Sequence, residues 1–384
     1  MKHCLGFYKY CYKNGSFLLF LRQLCSKALQ LTRLVIVSFI PPNLALLVDT
    51  LQGSSIGDLG KQLFRRLHDI HWEVRDSSLE VLEAISSLAD AKFPAFQSLL
   101  IDNDLPRVVV SIATGDSEPY VRASGLAALC QMVKIQHIWD SALYNQKILD
   151  NVLKMLQHDT EGLVRHQASL LVTAIYKHQT IPGSFLDRIY DIMYHVAIYD
   201  LHWEVKLGAL EFWSEVIESA VTQEGMIDGA FPQMTFSRTA RKIVTLDPPE
   251  IRNRLLRILR HLSIIGCLHV LWKTLNDDCD LEVVKKSVAI VKKLMALLDK
   301  YELTRRGTTN SLPKEQSPNI IEAVYHKVLS DEGAEAAPQK HNLPSSPLEQ
   351  ETLANTIQQV NDDLCSLEQY LTALRITVSK CTYS

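Results

Sequence analysis

One spelling recurs through the first half of this chain: an acidic residue, five others ending in Val, then a basic residue. It appears as Asp69-IHWEV-Arg75, Asp116-SEPYV-Arg122, Asp159-TEGLV-Arg165 and Asp200-LHWEV-Lys206, and the basic positions lie 47, 43 and 41 residues apart. Behind each anchor, apolar residues return at helical spacing: Val74, Leu82, Ile85 and Leu88; Val121, Leu126, Leu129 and Val133; Val164, Ala168, Leu171 and Ile175; Val205, Leu210, Trp213 and Ile217. A helix with one apolar stripe has to bury it against a neighbour. A chain that repeats such a unit therefore buries its core by stacking copies.

The period fits the ~40 to 47 residues of HEAT and armadillo units and exceeds tetratricopeptide and ankyrin periods. The expected fold is all-α: a HEAT/armadillo-like α-solenoid with a disordered linker and a C-terminal helix. First helices are expected over 56–67, an interrupted 93–112, 139–156 and 185–198, with Pro106 breaking the second of these. Each anchor Asp precedes a second helix, where a carboxylate can accept bonds from unpaired backbone N–H groups. Each base stands in that helix's first turn, within reach of a neighbouring repeat's carboxylate. Asp69, Asp116, Asp159 and Asp200 are thus expected to form a ladder with Arg75, Arg122, Arg165 and Lys206.

The register is lost over 222–249, where Gly225, Gly229 and Pro232 suggest a loop and Pro248-Pro249 opens another helix. The pattern resumes with Asp280-LEVV-Lys285 ahead of Val288, Val291, Leu294 and Leu298, which adds Asp280 and Lys285 to the ladder. Residues 1–42 look unlike the rest of the chain and read as an atypical N-terminal segment, a fragment start or a mispredicted exon. The repeat domain is expected over 43–301. Proline, Ser, Glu and Gly mark 302–347 as a flexible linker. Over 348–378 an amphipathic helix is expected, because Leu353, Ile357, Val360, Leu364, Leu367, Leu371 and Leu374 alternate steps of four and three. Its ridge can dock on a partner, pair with a second copy or fold back, which makes Leu364, Leu367 and Leu371 candidate partner-binding residues.

A net charge of -3 supplies no global basic field for phosphate backbones, so direct nucleic-acid binding is not expected beyond a local patch. That patch runs from Arg238 to His261, where Arg254 and Arg257 share a helical face as candidate partner-binding residues. The alternative to a protein scaffold is accordingly a generic HEAT-repeat adaptor with a nucleic-acid-binding basic face. Eight cysteines are scattered without a CxxC pair, which reads as unpaired thiols in a reducing compartment, with no metal site. No apolar run approaches a membrane span, so no membrane partner is expected. Gly53-Ser54-Ser55-Ile56-Gly57 matches the GxSxG spelling of a serine hydrolase, yet that elbow needs a parallel sheet that the surrounding pattern lacks. A cap opening the first repeat helix accounts for Ser55 better. The 277–282 acidic run lacks the Gly and distal Glu of a calcium loop. No phosphate-cradling or dinucleotide motif occurs either, and no catalytic residue, cofactor or small-molecule substrate is expected. Trp72 and Trp203 stand at matching places in the HWEV segments and are expected to be buried between repeats, with an aromatic anchor for a partner as the alternative.

The segments HWEVRDSSLEVL, DSEPYVRAS, DTEGLVR, DLHWEV and DCDLEVVKKS, in this order, resemble the C-terminal part of the breast-cancer-susceptibility-protein-associated ATM activator family over about residues 57–300. Members of that family are longer, with more helical repeats upstream. The resemblance implies a nuclear and cytoplasmic scaffold whose partners are the ATM kinase, the breast-cancer-susceptibility protein and the endonuclease subunits of the Integrator RNA-processing complex. It also implies links to the DNA-damage response, cell growth and mitochondrial homeostasis. The family ends in a Cys-Tyr pair suited to entering the Integrator nuclease's metal site. Here Cys381 and Tyr383 are separated by Thr382 and followed by Ser384, a departure from that pattern. They stand as candidate partner-binding residues, since a Cys381 thiolate has the chemistry to ligate a partner's zinc.

Overall fold

The computed structural model describes residues 16–39, 55–89, 94–144, 147–237, 241–275, 277 and 279–301. The chain divides into two compact units, Met1–Ser219 and Ala220–Ser384, so the span expected as one repeat domain over 43–301 is split near the end of its fourth repeat. The linker over 302–347 and the amphipathic segment over 348–378 lie outside the described residues.

Unit 1 begins with α1 (Ser16–Phe39), followed by α2 (Ser55–Leu67), α3 (Trp72–Leu88), α4 (Pro94–Asp102), α5 (Leu105–Gly115) and α6 (Pro119–Met132). A short helix α7 (Gln136–Ile138) runs into a π-helical turn (Trp139–Leu143), then come α8 (Ile148–His158), α9 (Gly162–His178), α10 (Gly183–Tyr199) and α11 (Trp203–Gln223). The helices that follow the Asp anchors lie side by side, α3 on α6 and α6 on α9, while α2, α5 and α8 each pack on the second helix of their own repeat. This is the two-helix stack that the period implies. The stripes named from the sequence form its core, with Val74, Leu82, Ile85, Val121, Leu126, Val164, Leu171, Val205 and Trp213 all buried.

Residues 16–39, set apart in the sequence, form α1, which packs along α3 as α3 packs along α6. Arg22 pairs with Glu73 at 3.0 Å, and the Ser26 and Ser77 hydroxyls are 2.7 Å apart. The structure thus places one more helix in the second-helix row than the anchors predict.

Two first helices are interrupted for local reasons. Asp104 adopts left-handed backbone (φ 51°) between α4 and α5, and Pro106 sits in the first turn of α5, where its missing N–H costs nothing. The expected continuous helix over 139–156 is broken instead: the chain widens into the π turn, and Lys147 takes a left-handed conformation (φ 51°) before α8 restarts. At Gly125, in α6, a Cβ would lie 2.9 Å from the Ala113 Cβ and 3.0 Å from its Cα, so α5 and α6 approach to backbone distance there. Gly125→Val is expected to destabilise unit 1 by about 1–3 kcal/mol through overpacking. Gly115→Ala, whose Cβ meets nothing within 4 Å, serves as the control in thermal denaturation.

Unit 2 contains β1 (Met234–Ser237), β2 (Lys242–Thr245), α12 (Pro248–Ile264), α13 (Cys267–Leu275) and α14 (Leu281–Lys300). The strands pair antiparallel, Met234 opposite Thr245 and Ser237 opposite Lys242, so part of the expected 222–249 loop is a hairpin. The turn before it does use Gly225 (φ 93°) and Gly229 (φ 73°). Its Phe231 N–H donates to the Tyr301 hydroxyl at 2.8 Å. Helix α12 opens as Pro248-Pro249 suggests, with the Asp247 carboxylate accepting the Glu250 N–H at 2.9 Å. Gly266 (φ 82°) turns the chain into α13. There Thr274 and Ser287 hydrogen-bond at 2.7 Å inside a core of Leu259, Leu262, Leu271, Val283, Val291 and Leu294. Burial pushes the Cys267 thiol well above its ordinary range, which marks it as a packing residue.

Candidate interaction site

Three rungs of the ladder are bidentate. Arg75 donates from Nε and Nη2 to the two Asp116 carboxylate oxygens, both at 2.7 Å. Arg122 holds Asp159 at 3.0 and 2.9 Å, and Arg165 holds Asp200 at 2.8 and 2.9 Å. Each guanidinium also turns Nη1 back onto its own anchor's main chain: Arg75 to the Asp69 carbonyl, Arg122 to that of Asp116 and Arg165 to that of Asp159. Each Asp in turn accepts the N–H two residues on, at His71, Glu118, Glu161 and His202, which fixes the turn that launches the second helix. Every rung therefore joins two successive turns through a planar fork matched to a carboxylate.

The rungs are nearly enclosed, with the Arg165 and Asp200 side chains 12% and 8% exposed. Burial pushes the Asp116 carboxyl up, and Arg75 with the Glu118 N–H more than offsets it, holding it below the usual carboxylate range. The same balance, struck by Arg165 and the His202 N–H, lowers Asp200. In Asp69 burial is overcome by His71 and Arg66.

Lys206 is buried. The fifth anchor departs from the rung geometry. Lys285 pairs with Glu282 of its own helix at 2.6 Å, and the turn's N–H groups, those of Cys279 and Asp280, go to the Asp277 carboxylate. Asp280 and Lys285 are five residues apart rather than six, and one residue turns a helical side chain by about 100°.

The turns that carry the ladder also carry apolar side chains facing solvent. Ile70 is 88% exposed, Leu201 94% and Trp203 42%, with Tyr120 and Leu163 exposed between them. Trp203 is therefore not buried between repeats as expected: it begins α11, ahead of the face that Val205 and Ala209 turn to the core. Trp72 is half-buried and stacks on Tyr120 of the next repeat, ring centroids 5.7 Å apart at 22°. This row along the turns is one exposed apolar surface of unit 1, and Leu24, Leu31, Leu34 and Val37 of α1 are exposed as well. Sequence reasoning singled out Trp72 and Trp203 but favoured their burial, and it did not single out Tyr120.

Arg254 and Arg257 do share a face of α12, and the structure supplies their counter-ions. Arg254 donates to the Glu250 carboxylate at 2.9 Å and the Glu224 carbonyl at 2.6 Å, while Arg257 grips the Glu224 carboxylate at 3.1 and 2.7 Å. They brace the turn after α11 within unit 2. Arg238, Leu364, Leu367, Leu371, Cys381 and Tyr383 lie outside the described residues. Ser55 is the first residue of α2, inside a helical repeat, and the named strands among the described residues are the two of the hairpin in unit 2. No group of three His, Cys, Asp or Glu side chains able to hold a metal ion occurs among the described residues.

Two-helix units stacked in register and joined by Asp–Arg rungs define an α-solenoid repeat protein of the HEAT/armadillo class. The chain belongs to the family described as Integrator complex assembly factor BRAT1, whose model matches residues 24–375. A relative of that name from Danio rerio is 30% identical over 62% of this chain and 27% of its own length, and one from Ailuropoda melanoleuca is 28% identical over 42% and 20%. The chain thus spans about a quarter of the length of these curated relatives. Among solved structures, a designed armadillo repeat protein in complex with the peptide (KR)4 is 14% identical, covers 70% of this chain and 92% of its own, and has a TM-score of 0.43. An engineered protein covers 71% and 90% at 15% identity, also with a TM-score of 0.43.

Proposed function

We propose that this chain is a non-catalytic scaffold for protein partners that serves assembly of the Integrator complex. The observation that carries this reading is the family match across residues 24–375, under a description that names an Integrator assembly factor. Stacked repeats support it physically. They display long surfaces whose elements are held rigid by neighbours, the arrangement that extended protein partners use. The finer roles that accompany the resemblance belong to the same proposal: contact with the ATM kinase, the breast-cancer-susceptibility protein and the Integrator endonuclease subunits, in the nucleus and the cytoplasm. In this reading the segment beyond residue 301 adds a tethered second contact, with Leu364, Leu367, Leu371, Cys381 and Tyr383 as its contact residues. Tethering raises the effective concentration of the second site without any new contact in the first.

The test is co-purification of the tagged full chain with Integrator endonuclease subunits, quantified against the chain lacking residues 302–384. Full-chain capture and weaker capture after truncation, at an unchanged thermal midpoint of the repeat domain, are expected. Absence of Integrator subunits from the full-chain eluate would remove the reading. A hydrolase would instead be revealed by a serine-directed probe whose labelling disappears in Ser55→Ala.

A further inference from the structure

A cleft of about 410 Å³ opens where the π turn meets the end of α9, lined by Gln136, Trp139, Asp140, Tyr144, His178, Gln179, Thr180 and Pro182. The π turn builds its first wall. The Tyr144 N–H reaches back five residues to the Trp139 carbonyl, and that widened turn sets the two rings 6.3 Å apart at 70°. Trp139 is buried and packs edge-to-face on Tyr144, which leaves the exposed Tyr144 ring to offer the negative side of its quadrupole to whatever enters. Single π turns of this kind recur at functional sites.

The polar lining is biased toward acceptors. Gln136 donates an amide N–H to the Asp140 carboxylate at 2.9 Å, and Gln179 donates one to the Val133 carbonyl at 2.6 Å. With nitrogens turned to those acceptors, the amides add oxygen to the Asp140 carboxylate and the Thr180 hydroxyl as groups for a ligand. The second wall is the C-terminal end of α9, whose last carbonyls carry the negative end of the helix dipole. Burial, Lys134 and Lys177 together push the His178 imidazole below its ordinary range, which disfavours its charged form. Those two lysines are turned elsewhere, Lys134 onto Gln131 and Lys177 onto Glu215, each at 2.7 Å.

A cleft with an exposed aromatic ring, a carboxylate and several oxygen acceptors calls for a flat cation with many donors. A guanidinium meets every one of these demands: it stacks on aromatic faces and offers five N–H groups in a rigid fork. The geometry points to this cleft as a docking site for an arginine side chain of a partner protein, stacked on the exposed Tyr144 ring and hydrogen-bonded to Asp140. This inference is independent of the Integrator reading, because it concerns the chemistry of the contact and not the partner's identity.

The test uses the full chain labelled with ¹⁵N at tryptophan, with the Trp139 indole resonance assigned from Trp139→Phe. N-acetyl-arginine amide is titrated against the citrulline and lysine analogues, which remove the charge and the planar fork respectively. The arginine derivative should shift the Trp139 resonance saturably at millimolar concentration, with the citrulline analogue and the Asp140→Asn variant each at least about tenfold weaker. The lysine analogue should also bind less well. No saturable shift below about 50 mM, citrulline or lysine binding as well as arginine, or unchanged binding in Asp140→Asn would each overturn the assignment. Tyr144→Ala, at an exposed position, should weaken binding without unfolding the chain; unchanged binding there would overturn the stacking that the assignment rests on.

Discussion

Arg165→Met is expected to lower the stability of the repeat unit by about 3–5 kcal/mol, because it strands the buried Asp200 carboxylate without its partner. For a unit of this size that is a fall of roughly 10 °C in Tm. The cause is specific. Asp200 keeps its His202 N–H but loses two charge-assisted bonds, and the Asp159 carbonyl loses the Nη1 donor that closes the rung. Lys154→Met, at an exposed position of α8, is the control and should stay within about 0.5 kcal/mol of the parent. The double variant Arg165→Met with Asp200→Leu should recover much of the loss, since replacing both members of a buried pair with apolar groups is often close to neutral. Equal midpoints for Arg165→Met and Lys154→Met, in thermal denaturation followed by circular dichroism, would show that the rungs contribute nothing.

Trp213→Ala is expected to cost about 3–5 kcal/mol, the range for deleting a buried aromatic side chain from a packed core. Trp213 and Phe212 are both fully buried, and they close an aromatic cluster with Tyr176 and Tyr190 that joins α9, α10 and α11. Trp213 stacks on Tyr190 at 6.0 Å and directs its indole N–H toward the Met193 carbonyl at 3.4 Å. Removing it leaves a cavity lined by rings that cannot collapse far, so the cost should sit in the upper part of that range. Trp203→Ala, ten residues earlier and 42% exposed, should change the denaturation midpoint little. A Trp213→Ala midpoint as mild as that of Trp203→Ala would place the core elsewhere.

The contrast between these two tryptophans shows what one chain can and cannot disclose. The repeat phase was legible because Asp and Arg six residues apart have one geometric use at a helix start, and the apolar stripe behind them has one period. Trp203 was misread because the same HWEV spelling puts its ring before the first core position, on the exposed side of the turn. Helix α1 lacked an anchor and was missed, although Arg22 and Ser26 fall on the face that meets Glu73 and Ser77. The break near 144 was invisible, since apolar periodicity from Trp139 through Leu156 survives a widened turn. In the hairpin, MTFS and KIVT are too short to show an alternation, and Ile243 faces solvent. Arg254 and Arg257 were correctly placed on one face, but their partner Glu224 lies 30 residues upstream of Arg254 in another element. No local pattern encodes such a contact.

The ladder has a consequence for how the stack comes apart. Each guanidinium touches only its own turn and the following one, so the polar coupling runs strictly between nearest neighbours, as in a row of coupled spins. Disorder introduced at one repeat is then passed along by contact and decays with distance. Amide protons of interior second helices such as α6 and α9 should outlast those of the flanking helices in hydrogen exchange, because opening an interior unit breaks two junctions while opening a terminal one breaks a single junction.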